Sequence, residues 1–457
     1  MSEAGTPQKR WRISTIICLF LAAYFAGTAL FALIHANQFA SARPQLLRYV
    51  IAPGTIAILL ALCAWKMRPD ARAITASCGL AIFVGMFAFE FFMTARTYSA
   101  TMGLVALPEK SWLRAQRVDD TLPPSRTVKA LNTAIGVTAL SDAVLGNIPG
   151  KRVYLCSSGA KPIFYQADQM GFNNPPAAYA RAPDIMVVGD SFVEGICLEP
   201  AQTLVGQLRR TTTATLGIGN RGAGPLYGLA ATGRYGGKFH PRTVVMAFFE
   251  GNDWENLEAE LRTPYLRQAL SPNADFGGVT PAPATLERAH SVIDDWQNMR
   301  MPGAVEMLSR THSLRNLAAL QKTSLSLGIA YPKAPPAIPE YSRILARTKQ
   351  IVEGWGGHLI ILYIPLQDRF LGLINRDFVY DQVRSKVLAS AAKNGIPVVD
   401  LAPIFRSHPQ PETLYAADAH FSAQGAHIAA GAVTDFLKRR DLRLADHGPD
   451  RDNGPAL

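Results

Sequence analysis

Apolar residues open this chain in three long runs and afterwards recur only in short ones. The long runs, over residues 13–36, 46–65 and 74–93, are each about 20 residues, the length at which a helix crosses a bilayer core. They predict three transmembrane helices. From Lys151 onward the texture changes to short apolar runs separated by turns: 152–156 and 162–165, then 184–189, 214–220, 243–249, 358–364 and 396–401. The last five read as buried strands, and helical patterns at 203–210, 341–354 and 381–394 lie between them. Strand and helix in alternation predict an α/β domain whose parallel sheet is covered on both faces.

These patterns divide the chain. Residues 1–95 form a membrane anchor, 96–150 a polar connector with a helical candidate at 128–145, 151–440 the catalytic body, and 441–457 a polar, disordered tail. Residues 254–340 separate the third and fourth strands of the alternating set by far more than a crossover helix needs. This insertion carries helical candidates at 285–299 and 304–321, and suits a lid, a substrate platform or a structural appendage equally.

Charge refines the membrane picture. The first run follows Lys9, Arg10 and Arg12 as a secretory signal would, but its length and the two spans behind it predict a retained anchor. Lys66, Arg68 and Arg72 separate the second and third spans, against only Arg43 between the first and second and Arg48 at the entry of the second. Cations gather on the cytoplasmic side. The bias therefore expects a multi-pass protein of a bacterial-type inner membrane, its catalytic body periplasmic or extracytoplasmic and membrane lipid among its partners. The formal net charge of +11 includes those six flanking cations. With no basic stripe interleaved with aromatics, nucleic acid is not an expected partner.

Of five cysteines, Cys156 and Cys197 fall in the soluble part. A disulfide bracing the site and two independent thiols both fit. The Cys and His spacing matches no metal site, and no cofactor is expected. His427 is expected to pack against the sheet, His240 to mark a turn before a strand, and Glu90 to lie near the outer end of the third span.

The chemistry sits at strand ends. Apolar residues 185–188 run into Gly189-Asp190-Ser191, which delivers a serine hydroxyl to a loop at the carboxyl edge of the sheet, where open α/β folds bind ligands. A serine needs a base to become a nucleophile. Asp418 and His420 stand two apart, so on an extended segment both side chains point to one side, the carboxylate holding one ring nitrogen and the other facing Ser191. Gly222 and Gly251-Asn252-Asp253 follow two further strands. The N–H groups of Ser191 and Gly222 and the Asn252 amide supply three candidate oxyanion donors.

Taken in order, Gly189-Asp190-Ser191, Gly222, Gly251-Asn252-Asp253 and Asp418-Ala-His420 resemble the four blocks of the SGNH (GDSL-like) hydrolases, in a membrane-anchored, envelope-associated form. That resemblance implies a flavodoxin-like three-layer sandwich with a five-stranded parallel sheet. It also implies Ser191 as nucleophile, His420 as base, Asp418 as its orienter, and Gly222 and Asn252 as oxyanion donors. The loop 168–175 is similar to a lead-in that precedes the serine block in many envelope members, with Asn173 where arginine is common.

The expected function is an extracytoplasmic serine esterase that removes acyl groups, foremost acetyl, from a glycan or exopolysaccharide. An O-acyltransferase using the same Ser191, His420 and Asp418 is the alternative, and would require a partner membrane protein to deliver the acyl donor. A noncatalytic glycan-binding protein that keeps the fold is the third reading.

Overall fold

A computed structural model describes residues 7–36, 46–105, 113, 115–116, 121–158, 161–211, 214–298, 313–327, 335–371 and 377–440. The tail at 441–457, expected as disordered, lies outside them. The chain divides into two compact units, one of residues 1–99, 302–335 and 371–382, the other of the remainder.

The first unit is built on three helices: α1 (Pro7–Ile34), α2 (Ala52–Lys66, entered through a π turn at Leu47–Ile51) and α3 (Pro69–Val105). Within them Ile13–Ile34, Leu47–Lys66 and Pro69–Arg96 are long and apolar enough to cross a membrane. The third starts earlier than its apolar run because Pro69 sits in the first turn, where its missing N–H costs nothing. Small residues let α1 and α2 approach closely: Cys18, Ala22, Ala29, Ala57, Cys63 and Ala64 are buried, while Ile16, Ile58 and Leu59 point outward. Arg72 is buried too, its Nη1 donating to the Ala64 carbonyl at 2.9 Å. The helix expected over 304–321 is described only from Ser313. There the chain makes two short helices, Ser313–Ala318 and Gln321–Leu327, broken at Leu320 with φ +49°.

The second unit carries the strands β1 (Arg152–Ser158), β2 (Lys161–Gln166), β3 (Ile185–Gly189), β4 (Thr215–Gly219), β5 (Thr243–Phe249), β6 (His358–Ile364) and β7 (Val398–Asp400). β1 and β2 form an antiparallel hairpin. The other five make one parallel sheet in the order β4-β3-β5-β6-β7, the order of flavodoxin-like folds.

Alternation along the strands explains the layers. Met186, Val188, Val244, Met246, Leu359 and Ile361 face one core, which helices α7 (Pro225–Ala231) and α9 (Glu340–Gly354) cover. Ile185, Val187, Val245, Ala247, Ile360 and Leu362 face the other, covered by α6 (Leu204–Leu208), α10 (Leu401–Arg406) and α11 (Ala423–Arg439). Buried on both faces, such strands read as continuous apolar runs.

The expected helix 128–145 is shorter, forming only α4 (Val128–Ala134). Gly136 at φ +70° supplies the left-handed residue that stops it. Leu140, Ala143 and Leu145, in the stretch expected as connector, lie in the same core as the sheet. His240 does mark the turn before β5, with φ +47°. His427 does not pack on the sheet: it is exposed, with Nδ1 3.2 Å from Gln207 Oε1. Ala426, Ala429, Ala430, Val433 and Leu437 occupy the inward stripe of α11, which turns residue 427 outward.

Candidate active site

The serine loop is shaped by its own first carboxylate. Asp190 leaves β3 at φ −91°, ψ −147°, and its Oδ1 accepts the Phe192 N–H at 3.0 Å, capping the single-turn helix α5 (Ser191–Glu194). That cap fixes Ser191 at the carboxyl end of β3. Ser191 Oγ lies 2.9 Å from His420 Nε2 and 3.4 Å from Asp190 Oδ2. The shorter contact belongs to the imidazole. Burial pushes the Asp190 carboxyl up to about 6, against the opposing influence of the Phe192 N–H and of His420.

Asp418 and His420 come together differently from the extended expectation. They occupy a turn closed by the bridge between Tyr415 and Phe421, by the Ala416 N–H to the His420 carbonyl at 2.8 Å, and by the Ala419 N–H to the Ala416 carbonyl at 3.0 Å. Ala419 is left-handed at φ +65°. The tight turn brings the two side chains to one side by curvature: Asp418 Oδ2 is 3.0 Å from His420 Nδ1, and Oδ1 is 3.3 Å from the His420 N–H. The Phe192 ring, beside the serine, lies 5.1 Å from the imidazole and 4.7 Å from Phe421. Ser422 then caps α11 through the Gly425 N–H.

Opposite this group stands the loop after β4. Gly222 has φ +72°, and a Cβ there would meet Thr127 Cγ2 at 2.6 Å, so only glycine fits without strain. The N–H groups of Ser191 and Gly222 donate to no partner among the described residues. Asn252, at the head of α8 (Asp253–Leu261), caps that helix with its carbonyl, which accepts the Asn256 N–H at 2.8 Å, and not with its side chain. Its amide is therefore uncommitted to the helix.

Three supports around these groups escaped the sequence reading, and a fourth, a disulfide, was one of two alternatives it left open. Glu194 ends the serine helix and is fully buried. Arg221, just before Gly222, holds it through Nη2 to Oε1 at 2.6 Å, Nε to Oε2 at 3.1 Å and the backbone N–H to Oε2 at 2.9 Å. Glu260, from the insertion, accepts the N–H groups of Gly224, Leu226 and Tyr227 at 2.6, 3.0 and 3.2 Å. Burial pushes it up to about 7. Glu250 joins the turn ahead of Asn252 to Arg369, and accepts the Leu366 N–H at 2.9 Å. Cys156 and Cys197 form a disulfide between β1 and the segment behind the serine helix. The signal for the first three was present as charged residues inside apolar stretches, but their partners lie in distant parts of the sequence.

The lead-in loop is architectural. Asp168 Oδ1 accepts the N–H groups of Met170 and Phe172, and Asn174 pairs with both the N–H and the carbonyl of Gly217 on the sheet's edge strand. Asn173 donates to the Glu194 carbonyl at 3.1 Å, at the end of the serine helix.

A hydroxyl that donates to an imidazole, itself held by a carboxylate, can lose its proton as it attacks a carbonyl carbon, while free N–H groups receive the developing oxyanion. Among the described residues no cluster of His, Cys, Asp and Glu suits a metal ion.

No curated protein matches the chain. Several solved structures do: TesA at 14% identity, covering 56% of this chain and 98% of that one with TM-score 0.31; a lipase/acylhydrolase from Enterococcus faecalis at 14%, covering 56% and 96% with TM-score 0.30; and a two-domain esterase active on acetylated mannans at 11%, covering 62% and 55% with TM-score 0.29. A family model described as "SGNH hydrolase-like domain, acetyltransferase AlgX" matches residues 329–451. That stretch runs from before β6 to beyond α11 and contains the turn that carries Asp418 and His420, so over residues 329–451 this chain is similar to an SGNH hydrolase-like domain.

Proposed function

We propose that the protein is a membrane-anchored, extracytoplasmic serine enzyme that cleaves acyl esters, foremost acetyl, on an envelope glycan. The observation that carries this reading is the continuous chain from Ser191 Oγ to His420 Nε2 at 2.9 Å and from His420 Nδ1 to Asp418 Oδ2 at 3.0 Å. Ser191 Oγ attacks the ester carbonyl and its proton passes to His420 Nε2. The oxyanion is met by the N–H groups of Ser191 and Gly222 and by the Asn252 amide. Collapse breaks the bond to the sugar oxygen, which leaves with the proton from His420, and an acetyl-serine remains. Water, deprotonated by His420, then releases acetate and restores Ser191.

The same acyl-serine can be opened by a sugar hydroxyl in place of water, which makes the enzyme an O-acetyltransferase. The acetyltransferase description of the matching family model favours this second reading. Three spans are few for carrying an acyl donor across a bilayer, so this route calls for a partner membrane protein. The extracytoplasmic side rests on Lys and Arg flanking the spans, and the glycan on the acyl esters found outside a membrane.

The test is to treat intact cells with a fluorophosphonate that cannot cross the inner membrane, and to assay the purified full chain with an acetylated glycan, alone and with an unacetylated oligosaccharide. Ser191-dependent labelling and acetate release support hydrolysis; acetyl appearing on the added oligosaccharide supports transfer. Folded protein that neither labels nor turns over any acyl ester overturns both.

A further inference from the structure

The insertion returns a segment to the membrane helices. Glu90, buried within α3, accepts the Thr323 N–H at 2.7 Å, the Thr323 hydroxyl at 3.0 Å and the Lys322 N–H at 3.0 Å. The Tyr24 hydroxyl of α1 donates to the Ala318 carbonyl at 3.0 Å. Tyr24 itself packs edge-on to Phe83 and Phe87 of α3, with ring centroids 5.0 and 6.0 Å away.

One anchor lies at the middle of its span and the other toward the end of its own, where the sequence placed Glu90. At 1.5 Å per residue, Tyr24 stands about 16 Å from Ile13 and about 15 Å from Ile34, the middle of its span, and Glu90 stands about 9 Å from the Arg96 end of its own. A segment hydrogen-bonded at both points is inside the hydrocarbon thickness if the spans are. Part of its backbone is closed on itself, with the Ala319 N–H on the Arg315 carbonyl at 2.9 Å, the Leu320 N–H on the Leu317 carbonyl at 3.0 Å and the Ser324 N–H on the Leu320 carbonyl at 2.8 Å. Irregular backbone is tolerated at membrane depth where it is packed against protein. The carboxylate takes the N–H groups that open the second helix. Leu314 and Leu327 project outward, 76% and 40% exposed.

We propose that Ser313–Leu327 is a re-entrant element that packs Leu314 and Leu327 against lipid acyl chains and is clamped by Glu90 and Tyr24. The proposal rests on the membrane-spanning reading of α1 and α3 and is independent of the acyl chemistry. It gives Glu90 a partner for its polar head within the span, and makes the insertion a second membrane attachment.

The full chain, with Cys18, Cys63 and Cys78 changed to Ala, is reconstituted in phosphatidylethanolamine and phosphatidylglycerol vesicles as single-cysteine variants at Leu314, Leu327, Leu59 and Gln410. Rates of reaction with a charged, membrane-impermeant maleimide are compared. Leu59 serves as the span control and Gln410 as the exposed one. The proposal expects Leu314→Cys and Leu327→Cys to react at least 10-fold slower than Gln410→Cys, and a bimane attached to either to be quenched by lipids carrying a nitroxide on the acyl chain. Adding Glu90→Leu restores fast reaction at Leu314→Cys. Fast, unquenched reaction at 314 and 327 with a slow Leu59→Cys overturns the re-entrant element, and assigns the exposed leucines to a protein partner missing from the vesicles. Fast reaction at all four overturns the spans themselves.

Discussion

Arg221 Nη2 lies 2.6 Å from Glu194 Oε1, and this one buried pair ties the serine helix to the loop that carries Gly222. Glu194 is three residues past the nucleophile, and Arg221 immediately precedes the glycine. Removing one partner strands the other charge where no water reaches it. Arg221→Ala or Glu194→Ala is expected to cost about 3–5 kcal/mol in denaturant unfolding. The double variant Glu194→Leu, Arg221→Met should be more stable than either single change. A double variant as unstable as the sum of the two would show that the pair acts through backbone geometry and not through charge.

Replacing Ser191 by Ala should abolish fluorophosphonate labelling and lower kcat about 10⁴- to 10⁶-fold, with His420→Ala close behind, since the two work as a unit. Asp418→Asn should cost about 10²- to 10⁴-fold, because the imidazole keeps its place in the turn but loses its preferred tautomer. The double variant Ser191→Ala, His420→Ala should lose little beyond the single changes. Additive losses would mean that the 2.9 Å contact between them is not used in the reaction.

Asn252→Ala should lower kcat about 10²- to 10³-fold with KM nearly unchanged, because an oxyanion donor acts on charge that exists only in the transition state. Gly222→Ala should harm more than the donor itself explains: its Cβ would sit 2.6 Å from Thr127 Cγ2, and its φ of +72° disfavours any side chain. Thr127→Ala relieves the clash and leaves the backbone strain, so the pair should recover part of the activity. Recovery to the wild-type rate would mean that the strain at 222 is immaterial.

How much of this was legible follows from where the partners lie. Ser191 and Asn252 sit immediately after apolar strands, and a parallel sheet brings all its carboxyl ends to one edge, so their convergence is written in local pattern. Asp418 and His420 were legible as a pair, but the turn that aligns them depends on the Tyr415 to Phe421 bridge and on a left-handed alanine, which no residue preference announces. Glu194, Arg221 and Glu260 were not legible, because a lone charge in an apolar stretch becomes informative only when its partner is known, and Glu260 lies 36 residues from the Gly224 N–H it binds. Helix 128–134 was overextended because apolar spacing continued past Gly136, whose conformation ends it.

The disulfide between Cys156 and Cys197 closes a loop over a sequence separation of 41. Loop-closure entropy of that size corresponds to about 4 kcal/mol. Cys156→Ser with Cys197→Ser should lower stability by roughly that amount and loosen the segment behind the serine helix, read as faster hydrogen exchange near residues 194–198. The wild type treated with a strong reductant should behave alike, and the double variant should be indifferent to reductant. Equal sensitivity of both would assign the effect to other groups.

Stability should also fall as pH rises toward neutrality, and Glu260 supplies a separable part of that fall. Its carboxyl titrates near 7 in the folded chain, pushed up from the usual 4.5 by burial. Between about pH 4.5 and 7 the folded state therefore holds a proton that the unfolded chain has released. A state that binds more protons when folded loses stability as protons become scarce. The contribution is fully present below about pH 4.5, declines through the window and is gone above about 7, a change on the order of 3 kcal/mol. Asp190, raised to about 6 by burial, slopes in the same direction over a lower range. Glu260→Gln cannot ionise, so the difference between the two stability curves isolates residue 260. Relative to wild type, the variant should gain steadily from pH 5 to 7 and stay level above. Parallel curves across that range would mean that Glu260 stays ionised beside the Gly224, Leu226 and Tyr227 N–H groups, the helix opening outweighing its burial.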